Sequence, residues 1–472
     1  MIWRGIPLGF RREDERQPLT YDGNAPALIL GPPGSSKSVG VICNQLLDDD
    51  SGERSYAVID PKAEVTAITS RFRRTVSDVK IINPYGVLVD KRPDLKSDGW
   101  NPLGDLVPDS PSFADECAAR GDALIKTNAN ETQPIFPNSA RSALTAGINF
   151  EVKIARLLGK IPSLPAVRAM LTLDTEQLVE RVNEMIATGD PDIVTRMRKF
   201  LNDNREIQSI KSNIETDTAW MTRPMRDDMA VKGGVDFRAL KERCTTVYVI
   251  LPTKEMRNKA PYLRLLLATA LRHLYRDDGL PVTLLVDEAA ILGHLEELEN
   301  ACAILRGYNS RLVTAFQLLG QLKKLYPDTW ELFGLGAALA FRPGDLETAK
   351  WMVQKAGRIT VPVLSASDPS GAHDAVVRPS WQQRERDRIP LHKMFGMPQG
   401  TALVWLPHEE VPRVARVKGY FEIADLNRRA DPNPFYRGKA AAGAASLAGG
   451  RIGHFAAASV LLLLALSLLG VI

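Results

Sequence analysis

One octapeptide constrains this chain more than any other feature. Leu28-Ile29-Leu30 is a short aliphatic run, Gly31-Pro32-Pro33-Gly34-Ser35-Ser36-Lys37-Ser38 follows it, and an apolar helical pattern takes over from Val39. Strand, loop and helix in that order, with Lys and Ser closing the loop, have the spacing of a P-loop. The N–H groups of such a loop converge on phosphates at the positive end of a helix, the lysine reaches the β- and γ-phosphates, and the hydroxyl ligates Mg²⁺. Gly31, Pro32, Pro33, Gly34, Ser35, Ser36, Lys37 and Ser38 are therefore the candidate nucleotide-binding residues, with ATP and Mg²⁺ as the expected ligands. Ser36 departs from the motif, which has glycine there, and puts a Cβ where the backbone conformation or a close phosphate approach favours none.

A second apolar strand, Leu284-Leu285-Val286, ends in Asp287-Glu288. Adjacent acids at a strand end are by themselves as readily a solvated terminus. Beside a P-loop they divide the work: Asp287 joins Ser38 around the Mg²⁺, and Glu288 polarises the attacking water. Gln317, at the end of the run Leu312–Ala315, is placed to sense a γ-phosphate, with an ordinary loop amide as the competing reading. Arg306, in Leu305-Arg306-Gly307-Tyr308, precedes the same run and is a candidate arginine finger for a neighbouring subunit. A surface arginine is an equal alternative.

At 472 residues the chain exceeds one ordinary core, so a nucleotide-binding domain with a further lobe is expected. Apolar or β-branched runs bounded by turn residues recur at Ala27–Leu30, Tyr56–Ile59, Val79–Ile82, Thr246–Leu251, Val282–Val286, Leu312–Ala315 and Ala337–Phe341. Helical patterns separate most of them, which predicts an α/β fold with a mainly parallel sheet. Residues 105–235 read instead as an all-α insertion, dividing the nucleotide-binding domain into 1–104 and 236–437. Ala402–Leu406 and Val411–Tyr420 are expected to pair as a terminal hairpin, and Leu364–Ser380 reads as a mobile loop. A net charge of +4 argues neither for nor against a nucleic-acid partner, because a basic channel can be balanced elsewhere. Cys43, Cys117, Cys244 and Cys302 lie far apart and show no ligand spacing, so they read as reduced, mostly buried thiols.

Residues 438–450 form a Gly/Ala/Ser linker. Within 451–472, the run Phe455–Ile472 is uncharged and near the lower length limit of a spanning helix, which predicts a C-terminal transmembrane segment. Arg437, Lys439 and Arg451 precede it and no charge follows, so the large domain is expected on the cytoplasmic side of a bacterial inner membrane. A buried or partner-docked helix is the alternative. Met1–Gln17 is charged and lacks the apolar core of a signal peptide.

Many short matches in one order make the chain resemble the coupling ATPases of type IV secretion and conjugative DNA transfer. They include Ser38-Val-Gly-Val41 with Asn44, Asp60-Pro-Lys-Ala-Glu64, Asn83-Pro84, Trp100-Asn-Pro-Leu103, Asp236-Phe237, Thr246-Val-Tyr248, Val286-Asp-Glu288, Arg306-Gly-Tyr308, and Gln317 with Gln321-Leu322. The resemblance implies a RecA-like, homo-hexameric P-loop ATPase beside a secretion channel, with an all-α domain that recruits DNA or a relaxase–DNA complex. Carried over by position, Lys37 and Ser38 serve phosphate and Mg²⁺, Asp287 the metal, Glu288 the base, Gln317 the sensor and Arg306 the finger. Asp60 and Lys62 match the family's second-strand motif without an assigned role. The family usually enters the membrane through N-terminal helices, which this sequence does not show, and usually has glycine where Ala63 stands. A nucleotide-binding receptor that docks cargo without hydrolysis, and a motor for protein effectors only, are the rival readings.

Overall fold

A computed structural model describes residues 1–125, 135–201, 204–256, 258–366 and 379–435. Its strands are β1 (Ile6–Arg11), β2 (Pro18–Tyr21), β3 (Ala27–Leu30), β4 (Ser55–Ile59), β5 (Asp78–Ile82), β6 (Thr245–Val249), β7 (Val282–Val286), β8 (Ser310–Phe316), β9 (Ala337–Phe341), β10 (Arg358–Ala366), β11 (Pro379–Asp387), β12 (Thr401–Trp405) and β13 (Arg413–Arg416). Among the described residues, eleven of these form one sheet in the order β2-β1-β13-β12-β9-β3-β8-β7-β4-β6-β5. From β9 to β5 every neighbouring pair is parallel, and from β12 to β2 the pairs are antiparallel. The α/β class and the mainly parallel sheet follow.

Strands buried on both faces explain why the sequence shows continuous apolar runs and not alternation. In β3 all four residues are buried. Leu28 and Leu30 pack on one side of the sheet with Ala57 and Ile59, while Ala27 and Ile29 pack on the other with Tyr56 and Val58. The seven runs marked in the sequence are strands, and Ala402–Val404 pairs antiparallel with Arg413–Ala415 as expected.

Helices α1 (Cys43–Asp48) and α2 (Glu64–Val76) follow β3 and β4. Between β5 and β6, ahead of a short helix at Ala239–Glu242, the described residues form seven α-helices, α3 (Phe113–Leu124), α4 (Ile135–Leu157), α5 (Leu164–Leu171), α6 (Thr175–Ala187), α7 (Pro191–Met197), α8 (Asn204–Asp217) and α9 (Arg223–Met229). Their starts are written locally: Ser163, Asp174 and Asp190 accept hydrogen bonds from the first N–H groups of α5, α6 and α7. The seven helices are fastened to the helix Ala260–Leu274 that flanks the sheet. Arg120, 1% exposed, pairs with Asp105 at 2.6 Å and with Glu116. Arg272 and His273, on the flanking helix, bind the same two carboxylates. Arg264 donates to the Ala123 carbonyl, and Lys259 to that of Trp220.

Three expectations change or fall outside the structure. Part of the charged segment Met1–Gln17 is strand: β1 pairs with β13 and β2 and extends the antiparallel end of the sheet. Its pattern is obscured by Gly9, at φ +98°, and by a shift of register between Pro7 and Phe10. Of the loop expected over Leu364–Ser380, both ends are strand, Leu364–Ala366 pairing with Pro379–Trp381 in a separate β10–β11 ribbon, and 367–378 lie outside the described residues. The linker 438–450 and the apolar segment 451–472 lie outside the described residues. Among the described residues no helix is long and apolar enough to cross a membrane. Cys43, Cys117 and Cys302 are buried and all four cysteines are unpaired.

Candidate active site

Parallel pairing brings four strand ends together. Leu30 is opposite Phe316, Val286 is opposite both Thr314 and Ile59, and so the chain leaves β3, β8, β7 and β4 along one edge of the sheet. The carboxyl edge of an open parallel sheet is where such folds bind ligands. Gly31–Ser38 leaves from β3, Gln317 from β8, Asp287 and Glu288 from β7, and Asp60 with Lys62 from β4.

The loop Gly31–Ser38 turns over the strand end and runs into a π-turn at Ser38–Ile42 that continues as α1. Gly31 is pressed close: a Cβ there would lie 2.5 Å from Ser35 Oγ and 2.9 Å from the Phe341 ring. Gly34 has φ +77° and Ser36 φ +75°. The serine that departs from the motif thus occupies a left-handed conformation that favours glycine. Pro32 and Pro33 carry no N–H, and those of Gly31 and Ser35 donate to the Phe316 and Pro32 carbonyls. The donors that can face a phosphate are those of Gly34, Ser36, Lys37 and Ser38.

Lys37 is buried and its ammonium donates to the carbonyls of Gly31, at 2.5 Å, and Pro32, at 3.2 Å. Burial lowers its pKa, opposed by Asp287 and Glu288. Ser38 Oγ donates to Asp287 Oδ2 at 2.8 Å. Asp287 Oδ1 is buried and has no partner, and burial raises the pKa of the carboxyl to about 6. A carboxylate with one oxygen tied to a hydroxyl and the other unsatisfied fits a hard cation, so the chemistry of Ser38 and Asp287 fits Mg²⁺.

Glu288 has a left-handed backbone, φ +53°, and its Oε1 lies 2.5 Å from Lys62 Nζ. Asp60 Oδ2 accepts from both the N–H and the hydroxyl of Thr66 at 2.7 Å, which ties the end of β4 to the first turn of α2. Asp60 is fully buried, and desolvation lifts its pKa to about 7. Between them, Ala63 has φ +57°. Both positions at which the sequence lacks an expected glycine, Ser36 and Ala63, therefore hold left-handed backbone. The functional contact that sequence reading missed is Lys62 with Glu288. Its signal was present in the motif match at Asp60-Pro-Lys62, but only the β4–β7 pairing places the lysine beside the acid.

Gln317 and Leu318 donate their N–H groups to Gln321 Oε1 at 3.1 and 3.3 Å, which fixes the turn that presents Gln317. Arg306 is not brought to this edge. It is exposed in a 3₁₀ turn, Leu305–Tyr308, that leads into β8. Seven strand residues at about 3.3 Å each put it roughly 20 Å from Gln317, at the opposite edge of its own sheet.

The fold is thus an α/β one whose large, mainly parallel sheet gathers a loop of P-loop spacing and an acid pair at its carboxyl edge. The chain belongs to the family described as Type IV secretory system conjugative DNA transfer, which it matches over residues 11–439. It is 24% identical to the conjugal transfer protein TraG of Rhizobium radiobacter over 88% of this chain and 64% of that one. It is also 24% identical to protein VirD4 of Agrobacterium fabrum, over 74% of this chain and 52% of that one. The chain thus spans between about half and two thirds of the length of these relatives. Two solved structures share its fold: the bacterial conjugative coupling protein TrwBdeltaN70, at a TM-score of 0.59 and 14% identity over 83% of this chain and 84% of that one, and the plasmid coupling protein TrwB in complex with ADP and Mg²⁺, at 0.58 and 14% over the same shares.

Proposed function

We propose that this protein is an ATP-hydrolysing coupling protein that recruits DNA or a relaxase–DNA complex and moves it to a type IV secretion channel. The observation that carries the ATPase reading is the convergence of Lys37, Ser38, Asp287 and Glu288 at one strand edge, with Asp287 Oδ1 left unsatisfied. The reading of cargo and channel is supported by membership in the conjugative transfer family and by the relatives' names.

In this reading residues 1–104 and 236–437 form the nucleotide-binding domain and 105–235 the cargo-recruiting insertion. The apolar segment 451–472, joined through the linker 438–450, anchors the protein in the inner membrane. Lys37 releases the loop carbonyls and pairs with the β- and γ-phosphates of ATP. Ser38 and Asp287 hold Mg²⁺, which when bound offsets the charge that builds on the phosphate oxygens. Glu288 takes a proton from the water that attacks the γ-phosphorus, and the bond to the ADP oxygen breaks. Gln317 orients that water or the γ-phosphate from β8. Arg306 is too far from its own loop to help it, so a finger role requires a neighbouring subunit and a homo-hexameric ring.

The rival reading, a receptor that binds nucleotide and docks cargo without turnover, gains from one observation: Glu288 is engaged by Lys62. Phosphate release measured with and without single-stranded DNA separates the two. The motor shows DNA-stimulated turnover that Glu288→Gln abolishes. A receptor binds ATP with no turnover sensitive to that substitution.

A further inference from the structure

Among the described residues, the loop that follows β4 carries the one cation that touches the proposed base. β4 and β7 are parallel neighbours with Ile59 opposite Val286, so the segments that follow the two strands leave side by side at the edge. Lys62 Nζ reaches Glu288 Oε1 at 2.5 Å, with the lysine side chain 48% exposed and the glutamate 16%. The lysine can therefore swing at little packing cost while the acid is held. Lys37 stands at the same edge of the sheet. Burial is the main reason that Lys37 has a lowered pKa, and the charge of Lys62 adds to it. Lys62, Glu288 and Lys37 thus share one edge of the sheet, where Lys37 marks the β,γ-phosphate position in the ATPase reading.

A carboxylate held in a close ion pair has an oxygen committed to the ammonium and is not free to turn to a water. A γ-phosphate carries more charge than one carboxylate and, in the ATPase reading, would lie beside Lys37 at that same edge. We propose that Lys62 is a switch residue: it clamps Glu288 while the site lacks a γ-phosphate, and exchanges that carboxylate for γ-phosphate oxygens when ATP is bound. The exchange frees the base only when there is a γ-phosphate to hydrolyse. It also makes the site discriminate ATP from ADP. The inference rests on the ATPase reading of the same site.

The test is binding, not turnover. Full-length protein is titrated with a fluorescent non-hydrolysable ATP analogue and with fluorescent ADP, as wild type, Lys62→Ala, Lys62→Arg, Glu288→Gln and the double variant Lys62→Ala/Glu288→Gln. Wild type should prefer the triphosphate, and Lys62→Ala should shrink that preference about tenfold by weakening only the triphosphate. Lys62→Arg should keep part of it. Glu288→Gln removes the competing carboxylate and should tighten the triphosphate, a gain the double variant loses. If wild type binds both nucleotides and Lys62→Ala leaves their ratio unchanged, the switch is wrong and the nucleotide site stands. If the gain in Glu288→Gln persists without Lys62, the clamp is wrong. If wild type binds neither nucleotide, the ATPase reading itself falls and the switch with it.

Discussion

Ser38 Oγ donates to Asp287 Oδ2 across 2.8 Å although 249 positions separate the two residues in sequence. The bond joins the first turn after the phosphate loop to the end of β7 through the intervening strand β8. Substitutions around this edge should therefore separate what the loop needs as backbone from what the site needs as charge.

Ser36 has φ +75°, and a left-handed non-glycine residue costs about 1 kcal/mol, which glycine recovers less its own larger unfolded-state entropy. Ser36→Gly should raise stability by up to about 1 kcal/mol and keep or increase ATP turnover. Ser36→Val, β-branched at the same φ, should lose more than that. Urea denaturation of the three proteins checks the order, and a large loss of activity in the glycine variant would show that the serine hydroxyl has a role of its own.

Asp60 is buried, and desolvation raises its pKa from 3.8 to about 7. A folded-state pKa above the unfolded value means that the native state takes up the proton first, so this group stabilises as pH falls from about 7 towards 4 and costs most above 7. Asp60→Asn removes that dependence while its Oδ1 still accepts from Thr66. The variant should be more stable than wild type at pH 8, by an amount on the order of 2–4 kcal/mol, and the gap should narrow as pH falls below about 7 and close only near pH 4. Melting curves of the two proteins across that range measure the difference directly, and parallel curves would show that Asp60 does not titrate there.

Arg306 is exposed in the turn before β8, at the sheet edge opposite the phosphate loop. Acting in trans, Arg306→Ala should lower turnover by about 10³ while nucleotide affinity changes little. Rings mixed from Arg306→Ala and Glu288→Gln subunits should regain activity at interfaces where an intact finger meets an intact base. No recovery on mixing, at any ratio, would make Arg306 a surface residue.

Arg120 is 1% exposed and bonded to Asp105 and Glu116, the carboxylates that also receive Arg272 and His273. Removing Arg120 leaves Asp105 with His273 and Glu116 with Arg272 alone and empties a buried site, so Arg120→Ala should cost about 3 kcal/mol. Limited proteolysis should then cut first among α3 to α9, because the lost contacts are those that fasten them to the helix Ala260–Leu274. Uniform loss of protection across the chain would mean that the helices and the sheet unfold as one unit.

The local chemistry was legible in the sequence: the run Leu28–Leu30 before the loop Gly31–Ser38 and the acids after Val286 are patterns of near neighbours. Buried parallel strands also announce themselves, since burial on both faces leaves continuous apolar runs. The β1–β2 edge was not legible, because a positive-φ glycine and a register shift break the alternation that marks a strand. The partnership of Lys62 with Glu288 was equally hidden, although both residues stood in recognised motifs. Sequence alone determined which residues could bind phosphate, metal and water, because that depends on residue type and on spacing within a few positions. Which of them meet was decided by the tertiary structure: the order β3-β8-β7-β4 sets Ser38 against Asp287 and Lys62 against Glu288, and leaves Arg306 at the far edge. Strand order is a long-range choice made by packing both faces of the sheet, and no short window of sequence carries it.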